Sequence, residues 1–407
     1  MKERFRFKPP LVGLGSAVGW VISRSLVAGD CGLDPGEAQG SEVLVETANR
    51  LGLTGRIGAR TSPALLEAEA GVRAAAQFRR AARGTAAAML QLEAACRVIA
   101  HTGELLGVPV VFLKGMALHL GERVPLGERS ASDVDVMVPR LGLQPFVSAL
   151  KADGWEQAGT PRTEQHVAPL YHPSGVTVEI HALLRGVRLG DGRGSADADT
   201  VLNRGLCQRL EDWPGEAWIV GWDLLAAHLF VHGIAQHGTA PQSYPPFRLL
   251  MDVSDLGLDT ARLSDFMAGP YRWIARDVGE KEVLGLVALA EHLRTGVSPV
   301  EIVRDRGAEA LWLRHMVLGS VDEQYRRSLR LGHMATIVPA RSTWRTWLRT
   351  AWRAVFINDL QVELIYGRPR LRLGYVARRL WRPVDLLVRA ARYGAAWVRV
   401  KARRLTE

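Results

Sequence analysis

Asp133 and Asp135 are the side chains whose type and spacing most suggest chemistry. They lie in a run, Asp133-Val134-Asp135-Val136-Met137-Val138, that alternates strictly. Successive strand side chains point to opposite faces, so a strand here sets Asp133, Asp135 and Met137 on one face and the three valines on the other. The valines can enter a core. Two carboxylates side by side repel each other unless a cation stands between them. Mg²⁺ is held in this way, by one or two carboxylates plus substrate phosphates. A second alternating run, Thr177-Val178-Glu179-Ile180-His181, puts Glu179 and His181 on a common face. With its strand beside the first, Glu179 supplies a third carboxylate, either completing a metal site or accepting a proton, as in-line phosphoryl transfer requires. An Asp-x-Asp on the solvated face of a half-buried strand is also a common structural feature, so the pair does not decide by itself.

The elements needed to position these acids can be read upstream. Val110 to Leu113 is a compact apolar run suited to a buried strand. Gly115 follows Lys114 and is expected to let the backbone turn sharply and a phosphate approach without meeting a Cβ. Met116 to Leu120 reads as the first turns of a helix whose free N–H groups face an anion.

Leu113-Lys114-Gly115-x-Ala117-Leu118, then Arg129-x-x-x-Asp133-x-Asp135, then Val178-Glu179-Ile180-His181 together resemble the motifs of bacterial nucleotidyltransferase-like proteins of the DNA polymerase beta superfamily. That family is similar to the minimal nucleotidyltransferases, and some members lie in lasso-peptide biosynthesis clusters. The resemblance runs from about Ala88 to Leu256. It implies a small mixed sheet with helices, two Mg²⁺ ions (Mn²⁺ being the alternative) on Asp133, Asp135 and Glu179, and a nucleoside triphosphate over the Gly115 turn. The wider superfamily has Gly-Gly or Gly-Ser at that turn, whereas Met116 follows Gly115 here. The phosphate contact is therefore expected to fall on Lys114 and Arg129, with Ser132 a further candidate and His181 close to the nucleotide. The same resemblance makes Arg248 and Asp252 candidates to line the nucleotide pocket, and their spacing of four also suits an ion pair.

The fold class expected is α+β, a small mixed or antiparallel nucleotidyltransferase sheet with helices, embedded in a mostly helical chain of 407 residues. Four regions are expected: an N-terminal helical region over 1–106, the catalytic core over 107–220, a helical accessory or substrate domain over 221–340, and a basic helical tail over 341–407. The net charge of +10 is unevenly spread. Arg341 to Glu407 holds 16 Lys and Arg against 4 Asp and Glu, a balance of +12, which leaves −2 for the first 340 residues. In the tail, Trp344, Trp347, Leu348, Ala351 and Val355 make an apolar stripe beside Arg345, Arg349 and Arg353, and arginines recur from Arg368 onward. Such a tail suits an anionic membrane surface, nucleic-acid phosphates or an acidic peptide, or else docks its tryptophans on the body.

Cys31, Cys96 and Cys207 are odd in number and lack metal-ligand spacing, which points away from a disulfide framework and towards a reducing cytoplasm. The start has basic residues before an apolar run, but Arg24 interrupts it, and no segment reaches about 18 uninterrupted apolar residues, so no membrane span is expected. Residues 1–40 are expected to be partly irregular. A long helix is expected from near Ser62, with Pro63 at a permitted first position and a break near Gly84, and a second over Thr85 to Leu106. Leu143 to Asp153 reads as a helix, Val167 to Tyr171 and the Glu179 run as a hairpin, and Gly186 to Asp199 as a glycine-rich surface loop. His228 and His232 lie four apart on one helix face. Without a Glu in the H-E-x-x-H position they read as helix-packing histidines before a zinc pair.

Taken together, these features point to an Mg-dependent nucleotidyltransferase that passes a nucleoside monophosphate from a triphosphate to an acceptor: a peptide, a small molecule, a protein side chain or an RNA end. Two alternatives stand beside it. A glycosyltransferase would use Asp-x-Asp to hold a sugar nucleotide, but leaves the Lys-Gly turn and Glu179 without a role. An inactive adaptor would work through the basic tail alone, but leaves three acids unexplained.

Overall fold

The computed structural model describes residues 11–27, 41–157, 167–190, 194–236, 246–304, 307–321, 355–356, 362 and 371–403. The chain opens with α1 (Leu11–Leu26), α2 (Ser41–Leu51), α3 (Thr54–Arg60) and the long α4 (Pro63–Leu106). Within the stretch 1–40 expected to be partly irregular, Leu11–Leu26 is a helix that enters the core, and residues 1–10 and 28–40 lie outside the described residues. Trp20, Val21 and Ile22 are fully buried, and so is Arg24. Arg24 does not end the apolar run because its guanidinium is neutralised by Glu69 of α4, which takes Arg24 Nε at 2.6 Å and Trp20 Nε1 at 2.9 Å. A buried cation is tolerated only when paired and hydrogen-bonded in this way.

Pro63 takes the first turn of α4, as the sequence suggests, and Ser62 caps the helix by accepting from the Leu65 amide. The break comes at Gly71, not Gly84. Gly71 adopts φ 79° and ψ 156°, a conformation open mainly to glycine, and kinks the helix there. Gly84 stays helical. A lone glycine in a helix costs only about 1 kcal/mol, and an alanine-rich neighbourhood carries that.

From α4 the αL residue Gly107 turns the chain into β1 (Val110–Phe112), α5 (Lys114–Leu120), β2 (Val134–Met137) and α6 (Leu143–Ala152). Then come β3 (Glu156–Gln157), β4 (Leu170–Tyr171), β5 (Thr177–His181), β6 (Leu183–Leu189), β7 (Gly194–Asp197), α7 (Ala198–Asn203), β8 (Cys207–Arg209) and β9 (Ala217–Val220). Seven strands form one mixed sheet in the order β3-β4-β5-β2-β1-β9-β8. β1 pairs antiparallel with β2 and parallel with β9, while β2 pairs parallel with β5. β4 and β5 form the expected antiparallel hairpin. The expected loop over 186–199 is corrected. Its ends pair as β6 and β7, a two-stranded ribbon with a bulge, and Asp197 caps α7. Val187, Leu189 and Ala196 are buried, and their burial outweighs the local abundance of glycine.

Helices complete the body: α8 (Trp222–Phe230), a π-helical turn over Val231–Gln236, α9 (Pro246–Asp255), α10 (Thr260–Ala268), α11 (Glu280–Arg294), α12 (Pro299–Arg304) and α13 (Ala308–Val321). One hydrophobic cluster runs from Ala17 of α1 to Val317 of α13. A further helix, α14 (Arg372–Arg403), lies in the tail. The amphipathic pattern read over Trp344 to Val355 and the arginines at 368 and 370 lie, apart from Val355, outside the described residues.

Candidate active site

β2 and β5 run parallel in register, so Asp135 stands opposite Glu179 and Met137 opposite His181. Neighbouring strands are about 4.8 Å apart, which makes the two carboxylates lateral neighbours on one face. Asp135 is 4% exposed. Its Oδ1 accepts from Lys114 Nζ at 2.7 Å and lies 2.8 Å from His181 Nε2. Glu179 Oε2 is 4.0 Å from the same His181 nitrogen. Among the described residues, Asp135, Glu179 and His181 are the group with spacing suited to a metal ion, their ligand atoms all lying within 4.8 Å of one another. Asp133 falls one residue before β2, in a bend, and its Oδ1 accepts from Ser132 Oγ at 3.1 Å.

The electrostatics of this cluster are asymmetric. Burial pushes the Asp135 carboxyl up, but the Lys114 ammonium and His181 outweigh it and hold Asp135 well below the usual carboxylate range. Burial likewise pulls the Lys114 ammonium down, and Asp135 more than restores it. For Glu179 and Asp133 the nearby cations do not make up the difference. Burial, and then repulsion from Asp135, raise both above their ordinary values. Three carboxylates therefore share one ammonium, and the surplus negative charge is what a divalent cation neutralises. The donors fit. Carboxylate oxygens of Asp135 and Glu179, with Asp133 alongside, are the hard ligands that Mg²⁺ takes. The imidazole of His181 suits softer ions, and here it holds Asp135 in place.

The turn after β1 differs from expectation in its physical detail. The residue in the left-handed region is Lys114, with φ 47°, and not Gly115. Gly115 is required for another reason. A Cβ at that position would collide with Arg129 Nη1 and come within 2.6 Å of Arg129 Cζ. The guanidinium of Arg129 thus occupies the space expected to admit a phosphate. Arg129 itself is clamped by Asp252 of α9, donating from Nε at 2.6 Å and from Nη2 at 3.0 Å. Arg248 Nη2 reaches Ser130 Oγ at 3.4 Å and is near enough to Asp133 to oppose the rise of its carboxyl. Lys114, expected at a phosphate, has its ammonium on Asp135.

Two features lay outside the sequence reading. Arg56 of α3 forms a bidentate pair with Asp255 of α9, at 2.8 and 2.5 Å, and Arg60 reaches Glu128 at 2.9 Å. These pairs brace the segment that carries Arg129. Arg56 and Asp255 are 199 residues apart, so no local spacing announces them. His228 and His232 pack edge to face with centroids 5.9 Å apart, and neither joins the metal-spaced group found among the described residues.

A family model described as an uncharacterised nucleotidyltransferase matches residues 37–266. No curated protein and no solved structure matches the chain.

Proposed function

The chain belongs to the family of uncharacterised nucleotidyltransferases, and on that premise we propose that it transfers a nucleoside monophosphate from a triphosphate to an acceptor, with Asp133, Asp135 and Glu179 as the acidic centre. The observation that carries this reading is the register of β2 on β5, which sets Asp135 beside Glu179 with surplus negative charge around one lysine. Bound there, Mg²⁺ would neutralise charge developing on triphosphate oxygens. Asp135 holds the ligand set in place through Lys114 and His181. Glu179, whose carboxyl is raised above its ordinary value by burial and by Asp135, accepts the proton of an acceptor hydroxyl. With a cation held by Asp135, Lys114 would be free to turn its ammonium from that carboxylate to a phosphate oxygen. Arg248, beside Asp133, is the guanidinium best placed to meet an anion. Arg129 and Asp252 act as positioning residues that hold the Gly115 turn.

The test incubates the full chain with each α-labelled triphosphate, Mg²⁺ and size-fractionated cell extract. Label should move to a defined acceptor and pyrophosphate should appear. Asp133→Asn should lose transfer by at least about 100-fold with a melting temperature at or above that of the wild type. Full transfer by that variant removes the assignment. Stabilisation by sugar nucleotides but by no triphosphate would replace it with glycosyl transfer.

A further inference from the structure

The helix α14 has an apolar face that the body leaves uncovered. Leu373, Val376, Leu380, Val384, Leu387 and Val388 are all exposed, with Leu373 at 78%, Leu380 at 75% and Leu387 at 71%. At 3.6 residues per turn these six positions fall within an arc of about 120°, a continuous stripe along residues 373–388 of the helix. Trp381, 52% exposed, borders it. On the opposite side Arg382 is 1% exposed and donates to Asp385 at 2.8 Å. Over its length the helix carries nine Lys and Arg against a single acid, Asp385.

We propose that α14 lies in the plane of an anionic lipid bilayer, its Leu/Val stripe among the acyl chains and its arginines at the phosphate headgroups. Charge complementarity selects this occupant. A second copy of the helix would bring nine cations against nine. A nucleic acid matches the net positive charge but has nothing to cover six aliphatic side chains, whereas a bilayer surface answers both. The helix lies on the membrane and does not cross it. Among the described residues no helix is long and apolar enough to span. A tryptophan at the edge of the stripe matches the depth at which indoles settle. Pro383, inside the helix, lets it bend along a surface. The inference rests on α14 alone and stands whether or not the acidic centre transfers nucleotides.

The test is co-sedimentation of the full chain with vesicles of phosphatidylcholine alone and with about one third phosphatidylglycerol, at low and high salt. Binding should need the anionic lipid, should fall several-fold between about 50 mM and 500 mM salt, and should drop at least tenfold in Leu380→Glu/Leu387→Glu. These positions are exposed, so the variant should melt with the wild type. Three results overturn the proposal: no binding to anionic vesicles at low salt, binding that the double variant leaves intact, or a wild-type dimer that the variant converts to monomer without lipid. Tight binding to a 30-nucleotide RNA that competes with vesicles and survives the double variant would assign the helix to nucleic acid instead.

Discussion

At the scale of single residues, Glu179 and Asp133 are held at a cost to the fold. Their raised carboxyls mean that the folded protein binds protons more readily than the unfolded chain, so their ionisation removes stability as pH rises through the carboxylate range. Glu179→Gln should therefore melt at or above the wild-type temperature at pH 7 in EDTA, the difference vanishing below about pH 4, while transfer is lost. A calorimetric scan at the two pH values checks it. A clear fall in melting temperature at pH 7 would mean that Glu179 is a structural group. Asp135 has the opposite sign. Its depressed carboxyl contributes stability that is in place above about pH 3.9 and lost as pH falls below it. Lys114→Met leaves that carboxylate buried without its ammonium. The expected loss is about 3–5 kcal/mol at neutral pH, with a flatter acid limb in urea titrations from about pH 2 to 5.

At the scale of elements, the turn between β1 and α5 is locked by the fit of Arg129 against Gly115 and of Asp252 against Arg129. Gly115→Ala should cost about 1–3 kcal/mol by overpacking. It should also be non-additive with Arg129→Met, because the second change removes what the new methyl strikes. A double-mutant cycle by chemical denaturation measures this, and full additivity would show that the methyl is absorbed elsewhere. Strand alternation was readable at this scale and gave β2, β5 and the face shared by Glu179 and His181. It did not show that β2 is buried on both faces. That follows from Lys114 and His181 closing over Asp135, two contacts that reach across 21 and 46 residues.

At the scale of the whole molecule, α9 joins the N-terminal helices to the candidate site. It presents Asp252 to Arg129 and Asp255 to Arg56, and Arg56 also donates to the carbonyl of Ser25 in α1 at 2.7 Å. Arg56→Met should destabilise the protein by about 3–5 kcal/mol, because Asp255 is left buried and unpaired. Because the pair reaches the segment before Asp133, it should also lower transfer under conditions where the variant is still folded. Denaturant midpoint and single-turnover rate, measured on the same preparation, separate the two effects. Unchanged stability would show that Asp255 finds another partner.

Periodicity and residue type, which act over a few positions, determined that strands carry Asp135 and Glu179, that a helix starts at Ser62 and Pro63, that a β4–β5 hairpin forms, and that the positive charge gathers in the tail. The tertiary structure alone decided which cation answers which acid. Lys114 goes to Asp135, Arg129 to Asp252, Arg24 to Glu69 and Arg56 to Asp255. The physical reason is range. A strand or a cap is selected by neighbours in sequence, whereas a buried charge is tolerated only where the whole fold delivers its partner, and that partner can lie anywhere along the chain.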